Sequence, residues 1–329
     1  MSDPLSMSDR KPDVSDPSSR DTAYEHPLLL VHGDAGPTVH GEAGSIRPQA
    51  RAWSRYVAIG DSFTEGMSDP DPDTPGAYVG WADRLAALLS THVADGTDFS
   101  YANLAVRGRK LDDVVGAQLE SALALGPDLV SIVGGGNDIL RPKADVDALA
   151  ARLDEAVARI RATGADVLMA TPTDPVGAPI IGRTRGRVGM YISHIWSIAQ
   201  RRGAFVLNQW ACDFLKDWRM WAEDRIHMTP EGHRRVALTA YVALGHTAEE
   251  ADWRAPLPPQ APPGKVEALR GHAQWAKEYA APWVQRRLQG RSSGDLIDAK
   301  RPTLGPAPRP GERSADEGHG IPGPEGGSR

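Results

Sequence analysis

YVAIGDSFTEG, at residues 56–66, decides the fold of this chain. An apolar run, typical of a buried strand, stops here at a Gly-Asp-Ser corner. In α/β proteins, ligands bind outside the carboxyl ends of parallel strands. A serine at such a corner can present both its hydroxyl and its backbone N–H to a ligand. Ser62 is therefore a candidate nucleophile.

Downstream of the corner, apolar strands alternate with amphipathic helices. After a first strand over 56–59, further strands are predicted over 99–106, 129–133, 167–170 and 205–207. Helices are predicted over 76–92, 111–125, 145–162, 188–202 and 231–244. This alternation favours a parallel sheet with helices on both faces. We predict an α/β fold, a three-layer flavodoxin-like sandwich with a five-stranded parallel sheet.

Composition divides the chain into four parts. Residues 1–50 are rich in Ser, Asp, Pro and Gly and are expected to be mostly disordered, and residues 51–250 are expected to form the α/β domain. Residues 251–290 combine a proline-rich connector with an aromatic helix over 266–288, which Pro282 should kink. The part over 291–329 is expected to be a disordered tail.

A short apolar segment in the first part, PLLLVHG at residues 27–33, needs a separate comment. Its His-Gly ending is similar to the pair that α/β-hydrolases place near an oxyanion hole. Those enzymes also need a G-x-S-x-G elbow, which the sequence lacks. We expect the segment to dock on the domain or to have no role.

Charge and cysteine content exclude several classes of protein. The net charge of -6 and pI of about 5.9 give no basic footprint for nucleic acid. No apolar run approaches the ~20 residues of a membrane span, and the first residues lack the apolar core of a secretory signal. The single cysteine, Cys212, rules out an internal disulfide framework and is expected to be a packing residue. We expect a cytoplasmic protein.

Four sequence blocks carry chemistry, each beside the end of a predicted element. They are GDS at 60–62, NLAVRG at 103–108, GGGND at 134–138 and DRIH at 224–227. In this order they resemble the SGNH, or GDSL, hydrolase family over roughly residues 54–245. The resemblance implies a serine esterase or acylhydrolase that acts on a small-molecule ester and needs no cofactor.

The chemistry of a Ser-His-Asp set gives three residues their roles. A serine hydroxyl becomes a good nucleophile only when a base takes its proton. His227 can be that base for Ser62, since an imidazole is mostly neutral at pH 7. Asp224 lies three residues earlier, where its carboxylate can orient the ring and stabilise the imidazolium.

The tetrahedral intermediate of acyl transfer also needs hydrogen-bond donors for its negative oxygen. The resemblance implies three of them: the backbone N–H of Ser62, the backbone N–H of Gly108 and the side-chain amide of Asn137. A glycine at 108 lets the backbone approach a substrate closely. We expect Asn103 and Asp138 to hold these loops rather than to contact substrate.

Other readings of these residues remain open from the sequence. Ser62 and Glu65 also match a capping box, S-x-x-E, in which the serine only caps a helix. His233 could replace His227 as the base, although it lacks an acid at the same spacing. The remaining helical histidines, expected to be structural and without metal-ligand spacing, are His92, His194, His246 and His272.

Two further groups have ambiguous roles. The basic run Arg183, Arg185 and Arg187 could meet an anionic substrate group, but a solvated loop is favoured. Trp210, Trp218 and Trp221 could fill the core or line an acyl pocket. A second hypothesis for the whole chain is a non-catalytic binding or scaffold module that contacts a protein partner through the aromatic C-terminal helix.

Overall fold

β1 (Arg55–Ile59) lies inside a six-stranded sheet. The other strands are β2 (Ser100–Asn103), β3 (Leu129–Ile132), β4 (Asp166–Ala170), β5 (Phe205–Leu207) and β6 (Arg301–Pro306). The order across the sheet is β5-β4-β3-β1-β2-β6. β1 to β5 are parallel, which confirms the predicted five-stranded parallel arrangement.

The computed structural model describes residues 39–40, 46–47, 50–93, 97–178, 181–260, 264, 270–271, 273–282 and 293–308. The apolar segment at 27–33 lies outside the described residues. A pair of two-residue antiparallel strands, Val39–His40 and Ile46–Arg47, precedes the domain. No helix in the described part of the chain is long and apolar enough to cross a membrane.

The strand order creates a place for a ligand. The chain moves from β1 to β2 on one side, then returns to β3 on the other side of β1 and continues outwards. This is the flavodoxin-like order, and its switch point lies between β1 and β3. The loops that follow these two strands separate there and leave a crevice at the carboxyl edge of the sheet.

β6 corrects one sequence-based expectation. The stretch from 291 was predicted to be a disordered tail, whereas residues 301–306 pair antiparallel with β2, from Asn103↔Arg301 to Ser100↔Pro306. Pro302 and Pro306 cannot donate ladder hydrogen bonds, which suits them only to a sheet edge. The strand lacks an apolar alternation because its side chains are mostly half-exposed.

Helices cover both faces of the sheet. They are α1 (Ser62–Glu65), α2 (Gly80–Leu89), α3 (Leu111–Asp113), α4 (Leu119–Ala124), α5 (Gly136–Ile139), α6 (Val146–Ala162), α7 (Arg185–Arg202) and α8 (Pro230–Ala243). A π-helical turn, Val114–Gln118, joins α3 to α4. α2 continues as a 3-10 turn, Ser90–His92.

Alternation along β1 divides the core into two layers. Val57 and Ile59 pack with α4, α6 and α7, whereas Tyr56 and Ala58 pack with α2 and α8. Successive strand side chains point to opposite faces, so one buried strand supplies both layers. The result is the predicted three-layer α/β/α sandwich.

Two predicted elements are shorter in the structure. The helix predicted from residue 76 begins at Gly80, because Asp69 accepts hydrogen bonds from the N–H groups of Val79 and Gly80 and holds this entry out of the helix. The strand predicted over 99–106 ends at Asn103, whose side chain bonds the N–H of Ala105 and turns the chain away from the sheet.

The aromatic C-terminal helix is described in part. Residues 270–271 and 273–282 are helical and include a π turn, Ala276–Ala280. Residues 283–292 lie outside the described residues, and with them the predicted kink after Pro282.

Candidate active site

A cavity of about 210 Å³ lies at the carboxyl edge of the sheet, beside the switch point. Four loops reach it: Ser62 follows β1, Asn137 follows β3, Thr171 follows β4, and His227 precedes α8. Most of the remaining wall is apolar and includes Phe63, Ile139, Leu140, Ile181, Val188 and Met228. Nucleophile, base and amide candidates therefore share one apolar cavity.

Ser62 stands at the first position of α1, half-buried at the cavity wall. The N-cap is Asp61, whose carboxylate accepts from the N–H of Phe63 at 3.1 Å. The capping-box interpretation of Ser62 is therefore wrong, because Asp61 fills that role and Glu65 pairs elsewhere. Within the described residues, neither the hydroxyl nor the N–H of Ser62 has a hydrogen-bond partner.

The first residue of this corner, Gly60, is hydrogen-bonded by Gln118, which lies just before α4. Gln118 accepts from the N–H of Gly60 at 2.8 Å and donates to its carbonyl at 2.9 Å. This pair of bonds fixes the backbone at the end of β1 and so the start of α1. Sequence reasoning missed Gln118, since nothing in a helical pattern marks one glutamine as a backbone partner.

α1 ends where two backbones cross. Gly66 adopts a left-handed conformation with φ of 95°, and a Cβ there would lie 2.6 Å from the Cα of Gly80. Both positions need glycine, because real Cβ atoms do not approach backbone so closely. The crossing holds α1 against the start of α2.

Asp61 is buried, with 8 % of its surface exposed. Burial raises the pKa of its carboxyl to about 6, against the opposing effects of the Phe63 N–H bond and the nearby His227. Its second oxygen accepts from the amide of Asn137 at 3.3 Å. Asp61 thus links the nucleophile helix to the loop after β3, although it does not orient the base.

His227 and Asp224, the candidate base and its orienting acid, are hydrogen-bonded to each other. The ring donates from Nδ1 to Asp224 at 2.5 Å, and Asp224 also accepts from the N–H groups of Ile226 and His227 at 2.9 and 3.0 Å. Burial raises the pKa of Asp224, but the His227 hydrogen bond, its charge and the two N–H bonds outweigh burial and leave the pKa lowered. The acid therefore stays ionised beside the ring.

The opposite ring nitrogen, Nε2, is the one available for a substrate proton. His227 lines the cavity with Ser62, yet within the described residues no hydrogen bond joins Nε2 to the Ser62 hydroxyl. Catalytic hydrogen bonds are often long in unliganded enzymes and tighten when substrate binds.

The three candidate oxyanion donors differ in how they are placed. Gly108 has φ of 73° in the turn after β2, and its N–H has no partner among the described residues, but it does not line the cavity. Asn137 lines the cavity, and its amide donates to the carbonyl of Arg109 at 3.0 Å as well as to Asp61. These bonds tie the loop after β3 to the turn that carries Gly108.

A buried ion pair, absent from the sequence analysis, anchors that turn. Glu65 at the end of α1 accepts from the N–H of Arg107 at 2.6 Å and from its guanidinium at 2.9 Å. Burial lowers the pKa of the Arg107 guanidinium, but the Glu65 bonds outweigh it and raise the pKa overall. The serine and Gly108 are thus held by one contact, which no spacing rule could reveal.

Asn103 and Asp138 contact loops rather than the cavity. The Asn103 amide donates to the carbonyl of Thr64 at 2.9 Å, and the Asp138 carboxylate accepts from the N–H of Leu111 at 2.9 Å. Neither residue lines the cavity. Their contacts agree with the loop-holding roles expected from the sequence.

The other histidines make structural contacts. Both ring nitrogens of His233 are used, by the N–H of Trp81 at 3.2 Å and the carbonyl of Met67 at 3.1 Å. Burial lowers the pKa of His233 to about 4, so it stays neutral. His194 pairs with Asp147 at the surface, and His92 and His246 stack with centroids 4.5 Å apart. His272 lies outside the described residues.

The ambiguous tryptophans separate in the structure. Trp221 lines the cavity and donates to the carbonyl of Leu215 at 2.8 Å. Trp210 packs under the guanidinium of Arg185, 5.2 Å from its ring centroid, and Trp218 is 47 % exposed. One of the three therefore contributes to the pocket.

The basic run and the cysteine have ordinary surroundings. Arg185 pairs with Asp174 at 2.7 Å, Arg187 donates to the carbonyl of Arg141 at 2.5 Å, and Arg183 is exposed. Cys212 is buried, and burial raises the pKa of its thiol. In the described ranges, no group of three His, Cys, Asp or Glu side chains could hold a metal ion.

The profile of the GDSL-like Lipase/Acylhydrolase family matches residues 58–235, more than half of the chain. The chain therefore belongs to this family and is a hydrolase of carboxylic esters, which confirms the resemblance seen in the four blocks. Among curated proteins, none matches the sequence.

Several solved structures are similar to this chain. A catalytic mutant of Axe2, an acetylxylan esterase from Geobacillus stearothermophilus, is 21% identical, with a TM-score of 0.51 over 59% of this chain and 95% of that one. TesA is 24% identical, with a TM-score of 0.45 over 57% and 97%. A G-D-S-L family lipolytic protein from Desulfitobacterium hafniense DCB-2 is 17% identical, with a TM-score of 0.45 over 57% and 99%.

Proposed function

We propose that the chain is a serine esterase that cleaves small carboxylic esters through an acyl-enzyme on Ser62. His227 takes the serine proton as the hydroxyl attacks the ester carbonyl, then donates it to the leaving alcohol. Water then attacks the acyl carbonyl and gives its proton to His227; as the acyl–Ser62 bond breaks, His227 returns that proton to the serine oxygen, which releases the acid and the free serine. Asp224 orients the ring and stabilises its charged form in both halves.

One observation carries this proposal. His227, hydrogen-bonded to Asp224 at 2.5 Å, lines the same apolar cavity as Ser62, which stands at the start of a helix with an uncommitted hydroxyl. A binding module would have no use for an ionised acid held against a histidine beside a serine. The arrangement supplies nucleophile, base and orienting acid from two different loops.

The oxyanion donors in this proposal are the N–H groups of Ser62 and Gly108 and the amide of Asn137. The two N–H groups have no partner in the described chain and so are available to a substrate oxygen. For Asn137, the 3.3 Å contact with Asp61 is longer than the 3.0 Å bond to Arg109 and is the one that a substrate oxygen would replace. Loss of one such donor typically costs ~2.7–4 kcal/mol of transition-state stabilisation.

The deciding experiment replaces Ser62 and measures hydrolysis of short p-nitrophenyl esters. We expect Ser62→Ala to lose about 10⁴-fold or more in kcat and to lose labelling by a fluorophosphonate. Ser121→Ala, on the exposed face of α4, is the matched control and should keep both. Undiminished hydrolysis by Ser62→Ala would refute the mechanism, and folded wild-type protein without labelling would favour the binding-module alternative.

The pH profile of kcat/KM tests the base. Protonation of His227 removes the acceptor for the serine proton, so the rate should fall on the acid side. The pKa of Asp224 is lowered, so the acid still orients the ring where this loss occurs. A rate independent of pH between about 5 and 8 would contradict a histidine base.

The cellular location belongs to the same proposal. The only cysteine is buried and unpaired, as suits a reducing compartment, and we propose a cytoplasmic enzyme with no metal or cofactor. Fractionation of cells that express the protein tests the location, and activity after exhaustive chelation tests the metal independence.

A further inference from the structure

The aromatic C-terminal helix contacts the acid–base pair, although it lies beyond the residues matched by the family. Trp275 is half-buried, and its indole N–H donates to the backbone carbonyl of Asp224 at 3.0 Å. One turn later, the hydroxyl of Tyr279 donates to Glu223 at 3.0 Å. The two side chains lie on one helix face, since residues four apart are neighbours there.

The contacted loop contains an unusual backbone. Residues 221–228 fold back on themselves through the Trp221↔Met228 bridge and the bond from the N–H of Ala222 to the carbonyl of His227, at 2.8 Å. Arg225, between the acid and the base, has φ of 57°, a left-handed conformation that is rare for arginine. Such a conformation persists only where its surroundings impose it.

Two indole rings contact Arg225. Its guanidinium lies 5.8 Å from the ring centroid of Trp218 and 5.2 Å from that of Trp275. Trp275 therefore acts on the loop twice: its ring faces Arg225 and its N–H holds the carbonyl of Asp224. The hydrogen bond holds Asp224, whose carboxylate orients His227, and the ring holds the next residue of the same loop.

We infer that Trp275 is a positioning residue of the active site, which sets the Asp224–His227 geometry from outside the residues that the family profile matches. The inference rests on the proposed function, in which Asp224 orients the base. A catalytic group displaced by 1 Å can lose about 10²-fold in rate, so a smaller rotation of Asp224 has a measurable effect.

The test compares three variants of the full chain by steady-state kinetics. Trp275→Phe keeps the ring that faces Arg225 but removes the hydrogen bond to Asp224, and we expect kcat to fall about 10-fold with KM changed less than about two-fold. Tyr279→Phe removes a hydrogen bond from the same helix to Glu223 only, and Trp196→Phe changes an indole that is 46 % exposed on α7. Both should stay within about two-fold of wild type.

An NMR signal can test the role of Trp275 independently of the proposed serine mechanism. The proton shared by His227 Nδ1 and Asp224 should give a downfield NMR resonance, which shifts or broadens in Trp275→Phe and not in the two controls. This signal does not depend on Ser62 being the nucleophile. In wild-type protein, the Trp275 indole N–H should exchange with solvent more slowly than that of Trp196.

Three results would overturn the inference. The first is a kcat of Trp275→Phe within two-fold of wild type together with an unchanged resonance. The second is an equal loss in Trp275→Phe and Tyr279→Phe, which would mean that the helix only docks. The third, which needs no variant, is equal exchange of the two indole protons in wild-type protein.

Discussion

The nucleophile corner (residues 60–66) and the acid–base loop (residues 221–228) meet at one cavity but are held in opposite ways. The corner is fixed from the interior of the domain by partners that are buried, Gln118 on Gly60 and Asn103 on Thr64, or half-buried, Arg107 on Glu65. The loop is fixed from the solvent side: the indole rings of Trp218 and Trp275 contact Arg225, and the indole N–H of Trp275 donates to Asp224.

Because of this difference, the contacts of the corner should mainly affect the stability of the fold, and those of the loop mainly the activity. Buried polar partners are costly to remove, because the group left behind has lost water as well as its partner. Stacked surface groups contribute little to folding, and what they fix is orientation. Changes around the corner should therefore mainly unfold the protein, whereas changes around the loop should mainly slow it.

The largest expected effect on stability comes from the Lys300–Asp83 ion pair. Lys300, at the start of β6, donates to Asp83 and to the carbonyl of Tyr78, each at 2.9 Å, and Asp83 accepts from Tyr101 at 2.7 Å. Asp83 is 4 % exposed, so Lys300→Met leaves a buried carboxylate without its cation. We expect a loss of about 3–5 kcal/mol in the free energy of unfolding, measured by urea denaturation.

The double variant Asp83→Asn/Lys300→Met is the control. It removes both charges, so it should be markedly more stable than Lys300→Met alone. A single variant that unfolds like wild type would mean that this charge pair does not support the corner.

The next effect tests the backbone crossing below α1. Gly66→Ala adds a methyl group 2.6 Å from the Cα of Gly80 at a φ of 95°. Overpacking and a left-handed alanine together should cost about 2–4 kcal/mol in the free energy of unfolding. Gly76→Ala is the matched control: its φ is 86° and its Cβ meets open space, so only the conformational cost of about 1 kcal/mol remains. Equal losses in the two variants would contradict the crossing.

Both tests involve contacts that the sequence could not show, whereas the sequence did predict the frame around them. Apolar runs such as 56–59 and 129–133 placed four of the five parallel strands within one residue, because burial of both faces selects such runs. Three of the four blocks place a candidate residue at one cavity: Ser62 and Asn137 because strand ends meet at one edge, and His227 from the loop before α8. Lys300 and β6 were missed, since an edge strand with two prolines carries no hydrophobic period.

A pH-dependent effect distinguishes the acid of the corner from the acid of the loop. Burial raises the pKa of Asp61 to about 6 from the ordinary 3.8, so the folded protein binds a proton there more tightly than the unfolded chain. Stability is therefore lost as pH rises from about 4 to about 6, by at most about 3 kcal/mol. The lowered pKa of Asp224 has the opposite sign, because its contribution is lost as pH falls.

Asp61→Asn removes this titration and, like aspartate, asparagine can cap α1. The stability of the variant relative to wild type should increase between pH 4 and pH 7, as measured by denaturation at a series of pH values. A constant difference across that range would show that burial does not raise the pKa of Asp61 in the folded protein.

The smallest effect on stability is expected in the loop, at Arg225. Arg225→Gly relieves a left-handed conformation, worth about 1–2 kcal/mol, and loses the contacts with two indole rings, worth about 0.5–1 kcal/mol each. The two changes nearly cancel, so the unfolding free energy should move by less than about 1 kcal/mol while kcat falls about 10-fold. Ser68→Gly relieves the same strain, at a φ of 69°, without touching the loop and should keep full activity. A loss of more than about 2 kcal/mol in Arg225→Gly would mean that the acid–base loop, like the nucleophile corner, is part of the folded core.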